Sequence, residues 1–232
     1  MQLDPVAARR FAADLAALWP EDERGGALGL AVSGGPDSLA LLLLAAEALP
    51  GRIAVASIDH GLRPEAADEV ALVGRVAAER GIPFTPLAVR VAPGNLQAEA
   101  RRARYAVLAE WVGAEGLGAV ATAHHADDQA ETLLMRLGRG SGLVGLAGVR
   151  ARTVIEGSEI PLLRPLLGWR KAELAAVVAA AGITPAQDPS NTDPAYDRAR
   201  LRAALVEADW LDPLQIAASA GHLAEAWQAL GW

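Results

Sequence analysis

Apolar residues along the first half of the chain fall into two alternating patterns. Short continuous runs, Leu28–Val32, Ile53–Ile58, Pro83–Val89 and Ala119–Ala123, read as buried strands. Longer stretches with helical spacing separate them, at about Asp37–Leu49, Pro64–Arg80 and Leu96–Glu115. Apolar strands joined by helices of this length predict a parallel sheet covered on both faces. Chain breaks stand where that scheme needs them, at Pro50-Gly51, Gly81-Ile82-Pro83 and Pro93-Gly94. The first twenty residues pattern as an amphipathic helix. Beyond residue 124 the spacing predicts a helix over Asp127–Leu137, a Gly-rich turn, and a weakly patterned piece to Leu167. Further helices are expected over Trp169–Ala181 and over Ala199–Leu230, the latter interrupted near Asp212-Pro213. We place a catalytic domain at 1–192 and a helical extension, or the start of a second domain, at 193–232.

Composition narrows the function classes. The 232 residues are 52% hydrophobic, enough for one large α/β core. A net charge of −7 argues against a surface that grips nucleic acid all over and leaves room for a local basic patch. Of 21 basic residues only Lys171 is lysine. There is no cysteine, which excludes disulfides, thiolate metal sites and persulfide chemistry. The longest uncharged apolar run, Leu39–Ala46, is far shorter than the roughly 20 residues of a membrane span. With no signal peptide visible, the expected location is the cytoplasm, with no membrane partner.

The first strand runs directly into Ser33-Gly34-Gly35-Pro36-Asp37-Ser38. Two glycines permit a tight turn with backbone N–H groups close to a ligand, and Pro36 suits a first helical turn. The helix N-terminus behind them offers partial positive charge to an anion, and the Ser33 and Ser38 hydroxyls add donors. Asp37 beside a phosphate is repulsive unless a cation lies between them, so Asp37 is read as a Mg²⁺ ligand. A Walker A loop is excluded because it needs a lysine here, and the dinucleotide Gly-x-Gly-x-x-Gly is absent. A plain strand-to-helix turn capped by Asp37 and Ser38 is the competing interpretation.

The pattern Ser-Gly-Gly-x-Asp-Ser resembles the pyrophosphate loop of the N-type ATP pyrophosphatases (PP-loop enzymes). Four further stretches, SIDHGLR at 57–63, NLQAEARRARY at 95–105, TAHHADDQAETLLMRLGRGSGLVGLAG at 122–148 and DPSNTDPAYDRARLR at 188–202, are similar to the signature of the tRNA(Ile)-lysidine synthetase family. The resemblance covers about residues 28–202. It implies a Rossmann-like, adenine nucleotide alpha-hydrolase-like fold with a short helical C-terminal extension. It also implies that ATP adenylates C2 of the wobble cytidine in an isoleucine tRNA with a CAU anticodon. The amine of free L-lysine then displaces AMP to form lysidine. A homodimer is compatible with the resemblance.

Chemistry can be assigned to side chains on that basis. Ser33, Gly34, Gly35, Pro36, Asp37 and Ser38 form the ATP loop, with Mg²⁺ on Asp37. Arg104, always charged and fork-shaped, is expected on phosphate or on the adenylated intermediate. Asp128 and Glu131 share a helix face, with Asp127 before them, and suit a lysine ammonium. His124, four residues before Asp128, is expected to bond it or the cytidine. Arg101, Arg136, Arg139, Arg198 and Arg202 are the candidate tRNA contacts. Each feature has an ordinary counterpart: acids stabilise helix starts, and basic groups cover solvated faces. A zinc site on His-His-x-Asp-Asp is disfavoured, since no second pair with ligand spacing stands elsewhere. Gln97 and Ala199 depart from the family's usual Glu and Asn, and relatives are longer than this chain. The alternatives are another PP-loop adenylating enzyme and an ATP-binding protein without catalysis. A thiolase conflicts with the absence of cysteine.

Overall fold

The computed structural model describes residues 3–59, 66–89, 96–186, 197–208 and 210–230. The sequence-predicted positions His60 and Arg63, the side chain of Gln97, and most of the 188–202 segment lie outside the described residues.

Helix α1 (Pro5–Leu18) opens the chain with Asp4 as its cap, the side chain accepting from the Val6 N–H. Strand β1 (Leu28–Ala31) leads through the glycine turn into α2 (Pro36–Ala48). Then follow β2 (Ile53–Asp59), α3 (Ala66–Ala78), β3 (Phe84–Ala88), α4 (Leu96–Ala114), β4 (Ala119–Ala121) and α5 (Ala126–Leu137). A short α6 (Leu143–Leu146) precedes β5 (Arg152–Val154) and β6 (Pro161–Leu163). Helices α7 (Lys171–Ala180), α8 (Asp197–Glu207) and α9 (Pro213–Leu230) complete the order.

The six strands run β3-β2-β1-β4-β6-β5. The first five are parallel and β5 pairs antiparallel to β6, with Thr153 opposite Leu162. The parallel sheet is as the sequence predicts; β5 and β6 arise in the weakly patterned piece before Leu167, and β5 adds one antiparallel edge strand. Each is three residues long, too short for a period to show. Pro86 sits within β3, where the sheet edge tolerates its missing N–H.

Strand order reverses between β1 and β4. Moving outward through β1, β2 and β3, the chain keeps α2 and α3 on one face; returning to β4, it lays α4 on the other. The two apolar clusters reflect this division. One joins Phe11, Leu15 and Trp19 of the α1 region with Leu39–Ala45 of α2, Val73 and Val76 of α3, and Leu174 of α7. The second sets Tyr105, Leu108, Trp111 and Val112 of α4 against Ala54, Ala56 and Val120. All residues from Ser38 to Ala45 are buried, because α2 is enclosed by the sheet, α1 and α7. In an open α/β sheet the ligand crevice lies at the strands' carboxyl ends where the order reverses. Here that point is the gap between the ends of β1 and β4.

Candidate active site

At the end of β1 the chain turns at Gly34, with φ at +86°. A Cβ there would fall 3.2 Å from the Glu69 carbonyl oxygen, so both the backbone angle and the space call for glycine. The turn is held by the Ser38 hydroxyl, which accepts from the Ser33 N–H at 3.1 Å and donates to the Gly35 carbonyl at 3.0 Å. Ser33 Oγ lies 3.2 Å from the same hydroxyl. Helix α2 then begins with Pro36, and no side chain caps it. Its first-turn N–H groups therefore face the crevice without a side-chain acceptor, as an anion site requires.

Helix α5 starts beside it, at the end of β4, and is closed. His125 is its cap: the His125 N–H donates to Asp128 Oδ2 at 3.1 Å, and the Asp128 N–H reaches His125 Nδ1 at 3.4 Å. The Ala126 N–H donates to the Trp169 carbonyl at 2.9 Å. The other ring nitrogen, Nε2, lies 3.4 Å from Asp37 Oδ2 and 3.5 Å from Asp128 Oδ2. Asp37 Oδ1 is buried and has no hydrogen-bond partner among the described residues.

A cleft of about 500 Å³ joins the two helix starts. Ser33, Asp37, Arg104, His124, Asp128 and Arg198 all contribute to its walls. Arg101 and Arg104 both lie over the Tyr105 ring, 4.9 and 5.4 Å from its centre, so their shared helix face is real. A second cavity of about 330 Å³ lies at the opposite end of the sheet, near Ile53 and Pro83. Its only charged walls are Glu47 and Arg80, and none of the predicted site residues lines it.

The remaining predicted residues are distributed as follows. Asp127 accepts from the Lys171 N–H at 2.8 Å and from Arg170 at 3.4 Å, joining α5 to the start of α7. Glu131 is buried and accepts from Arg202 Nε at 2.7 Å and from a second guanidinium nitrogen at 3.1 Å. Arg198 lies 3.9 Å from the same carboxylate and donates to Thr132 Oγ1 at 3.3 Å. Arg136 reaches back to the Gly145 and Gly148 carbonyls, bracing the Gly-rich turn. Arg101 and Arg139 are exposed. His124 pairs with Thr122 Oγ1 at 3.0 Å, and its neighbour His125, absent from the sequence-based set, is the one that meets Asp128.

The electrostatics separate the two histidines. Burial lowers the pKa of His124 to about 3, and the charges of Arg164, Arg104, Arg101 and Arg198 add to the fall, so its ring is neutral. Burial also disfavours charge on His125. There the hydrogen bond to Asp37 and the charges of Asp128, Asp37 and Asp127 prevail, raising it above the usual histidine value. Asp128 is raised above the ordinary carboxylate range by burial, with His125 and Arg198 opposing and Glu131 reinforcing the rise.

A family model described as a PP-loop domain matches residues 7–209. A tRNA(Ile)-lysidine synthase from Novosphingobium aromaticivorans is 54% identical over 228 residues, covering 97% of this chain and 69% of that protein. The tRNA(Ile)-lysidine synthase of Zymomonas mobilis is 47% identical over 212 residues, covering 89% of this chain and 64% of that one. The chain belongs to the PP-loop tRNA(Ile)-lysidine synthase family. It spans roughly half to two thirds of the length of the curated relatives it matches. Among solved structures, the U34-tRNA thiolase NcsA from Methanococcus maripaludis superposes with a TM-score of 0.73 at 15% identity. That match covers 95% of this chain and 80% of the thiolase, and shows the shared PP-loop fold.

The Ser33–Ser38 turn lies within the matched PP-loop domain, and its fit to a magnesium ion can be tested. Mg²⁺ bound with nucleotide takes one or two carboxylates and completes its shell with phosphate oxygens and water. Asp37, with one buried oxygen unpartnered, fits that role. Among the described residues no group of three or more histidine and acidic side chains is arranged to hold a metal. Nor is any described helix long and apolar enough to cross a membrane.

Proposed function

We propose that this chain carries the ATP-dependent ligation of free L-lysine to C2 of the wobble cytidine in an isoleucine tRNA with a CAU anticodon. The products are lysidine, AMP and pyrophosphate. The observation that carries the proposal is the pairing of an uncapped helix start with a carboxylate-bearing, self-capped one across a single cleft. ATP lies with its β- and γ-phosphates on the Ser33–Ser38 turn and the first N–H groups of α2. Asp37 would hold a magnesium ion, which would supply charge neutralisation for the departing pyrophosphate. Arg104 and Arg198, on opposite elements of the same cleft, suit the α-phosphate and the adenylated intermediate.

The cytidine C2 oxygen attacks the α-phosphorus, and the bond to the pyrophosphate oxygen breaks. Lysine enters as an ammonium and must lose a proton before its Nζ can attack C2. Asp128 is the acceptor: its raised pKa makes it a stronger base than an exposed carboxylate. Nζ bonds to C2, the C2–O bond breaks, and AMP departs with its electron pair. Glu131, committed to Arg202, shapes the amine end and fixes α8 instead of meeting the amine directly. His124, neutral throughout the working range, offers a hydrogen bond to the base without adding charge. Arg101, Arg139 and Arg198 are the exposed candidates for tRNA contact, with Arg198 at the cleft. Residues 1–192, joined by Arg198, hold the adenylation chemistry, and the helices α8 and α9 of the extension at 193–232 brace α5. ATP, lysine and tRNA as substrates imply the cytoplasm.

The test is incorporation of labelled lysine into an isoleucine tRNA transcript with C at the wobble position, against a methionine tRNA control, with ATP and Mg²⁺. Selective labelling is expected. The absence of both labelling and tRNA-dependent pyrophosphate release would overturn the proposal.

A further inference from the structure

We propose that His125 is a positioning residue that sets the Asp37 carboxylate, holding one oxygen and leaving the other for the cation on the pyrophosphate. The inference rests on the function proposed above and adds a residue that joins its two halves. His125 stands on neither the phosphate turn nor the cleft wall, and its side chain is almost wholly buried. Its two ring nitrogens do different work. Nδ1 faces the Asp128 N–H at 3.4 Å and closes the start of α5. Nε2 faces Asp37 Oδ2 at 3.4 Å and Asp128 Oδ2 at 3.5 Å.

Nε2, facing two carboxylate oxygens, carries a hydrogen in both states of the ring that this setting allows. A ring whose Nδ1 accepts from a backbone N–H has its proton on Nε2, and an imidazolium has one there as well. In either state Nε2 donates toward Asp37. One carboxylate oxygen is thereby held against the ring, while Oδ1, buried and unpartnered, is left to a cation. A carboxylate free to rotate would divide its time between rotamers, and only one would present Oδ1. Since the ring is fixed to α5 at β4 and Asp37 belongs to α2 at β1, the contact also sets the spacing of the two helix starts.

Two substitutions separate the nitrogens. In His125→Asn the amide oxygen reproduces the Nδ1 acceptor, and asparagine is a strong helix cap, but nothing reaches Asp37. In His125→Gln the amide nitrogen stands near the place of Nε2 while the cap is lost. Pyrophosphate binding is measured by calorimetry with and without Mg²⁺, alongside thermal melts, for wild type, both variants and Asp37→Ala. His125→Asn is expected to melt like wild type and to lose roughly tenfold of the Mg²⁺-dependent gain in pyrophosphate affinity, the scale of one hydrogen bond to a charged group. Asp37→Ala should lose the gain entirely. His125→Gln should melt lower and keep most of it.

An unchanged Mg²⁺-dependent gain in a folded His125→Asn overturns the positioning role while leaving the proposed function standing. If His125→Asn does not fold, an equal loss of the gain in folded His125→Gln overturns it too. Wild type with no Mg²⁺-dependent gain overturns the proposed function, and this inference with it.

Discussion

Helices α2 and α5 both begin at the carboxyl end of a central parallel strand, and the two starts are built in opposite ways. At α2 the turn residues bond to each other, Pro36 has no N–H to satisfy, and no side chain caps the helix. At α5 the N–H groups are taken by His125, its partner Asp128 and the Trp169 carbonyl. An open start is a seat for an anion. A closed start in which acids do the closing presents carboxylates and favours a cation. Neighbouring strands thus supply the two poles that pyrophosphate and an amine need.

The supports differ as much as the ends. Helix α2 is encased in aliphatic side chains from Leu39 to Ala45, with the contact between Asp37 and His125 at its very start. Helix α5 is held by polar contacts with segments that come later in the chain: Asp127 to Lys171 and Arg170, Gln129 to Val149, and Glu131 to Arg202. The first pole should therefore resist changes elsewhere in the molecule, and the second should depend on them.

The largest expected effect breaks the open end. Asp37→Ala should slow tRNA-dependent pyrophosphate release by about 10²–10³-fold, the usual cost of one preorganised charge-stabilising group, with little change in melting temperature. Radiolabelled pyrophosphate release checks it.

Next comes the support of the closed end. Arg202→Ala leaves the buried Glu131 carboxylate, among the described residues, with Arg198 at 3.9 Å as its remaining cation. A loss of about 2–3 kcal/mol is expected, toward the lower end of what breaking a buried pair costs because Arg202 itself is partly exposed. Urea denaturation measures it, and Arg202→Ala,Glu131→Gln should recover part of the loss.

The sign of the pH effect distinguishes the two histidines. His124 has its pKa lowered to about 3, so the unfolded chain binds protons that the folded ring refuses. The stability His124 allows is present above the unfolded value and is lost as pH falls from about 6.5 toward 3. His125, raised in the fold, works the other way, losing its contribution as pH climbs past its folded value. His124→Asn should accordingly be less acid-sensitive than wild type, by about 2 kcal/mol near pH 5, in denaturation curves taken across that window.

The smallest effect sharpens the contrast within the turn. At Gly35, φ is −71° and a Cβ would meet nothing nearer than Ser33 Oγ at 3.7 Å. Gly35→Ala should change stability by no more than about 0.5 kcal/mol. Gly34→Ala, at positive φ and against Glu69, should cost at least about 1 kcal/mol in the same melts.

The two poles were also unequally legible in the sequence. Everything that defines the start of α2 is local: the glycines, Pro36 and the Leu39–Ala46 run lie within fourteen residues. The acids of α5 stand out as a cluster, but their partners come from far along the chain, so spacing alone points all of them to the amine. His124, four residues before Asp128, is expected from that spacing to meet it. That face argument holds only inside a helix, and α5 begins at Ala126, leaving His125 as the cap. The contact of His125 with Asp37 exists only because β1 and β4 lie side by side. Strands β5 and β6 gain their order from pairing, which no three-residue pattern announces.

The most direct test of the two-pole account is Asp128→Asn, with pyrophosphate release and labelled-lysine incorporation followed in the same reactions on isoleucine tRNA. Asparagine keeps the side chain's shape and removes the charge and the base. The account predicts pyrophosphate release within a few-fold of wild type and a loss of lysine incorporation of about 10²-fold or more, the scale of a missing general base. Equal loss of both activities, or lysine incorporation at the wild-type rate, would contradict it.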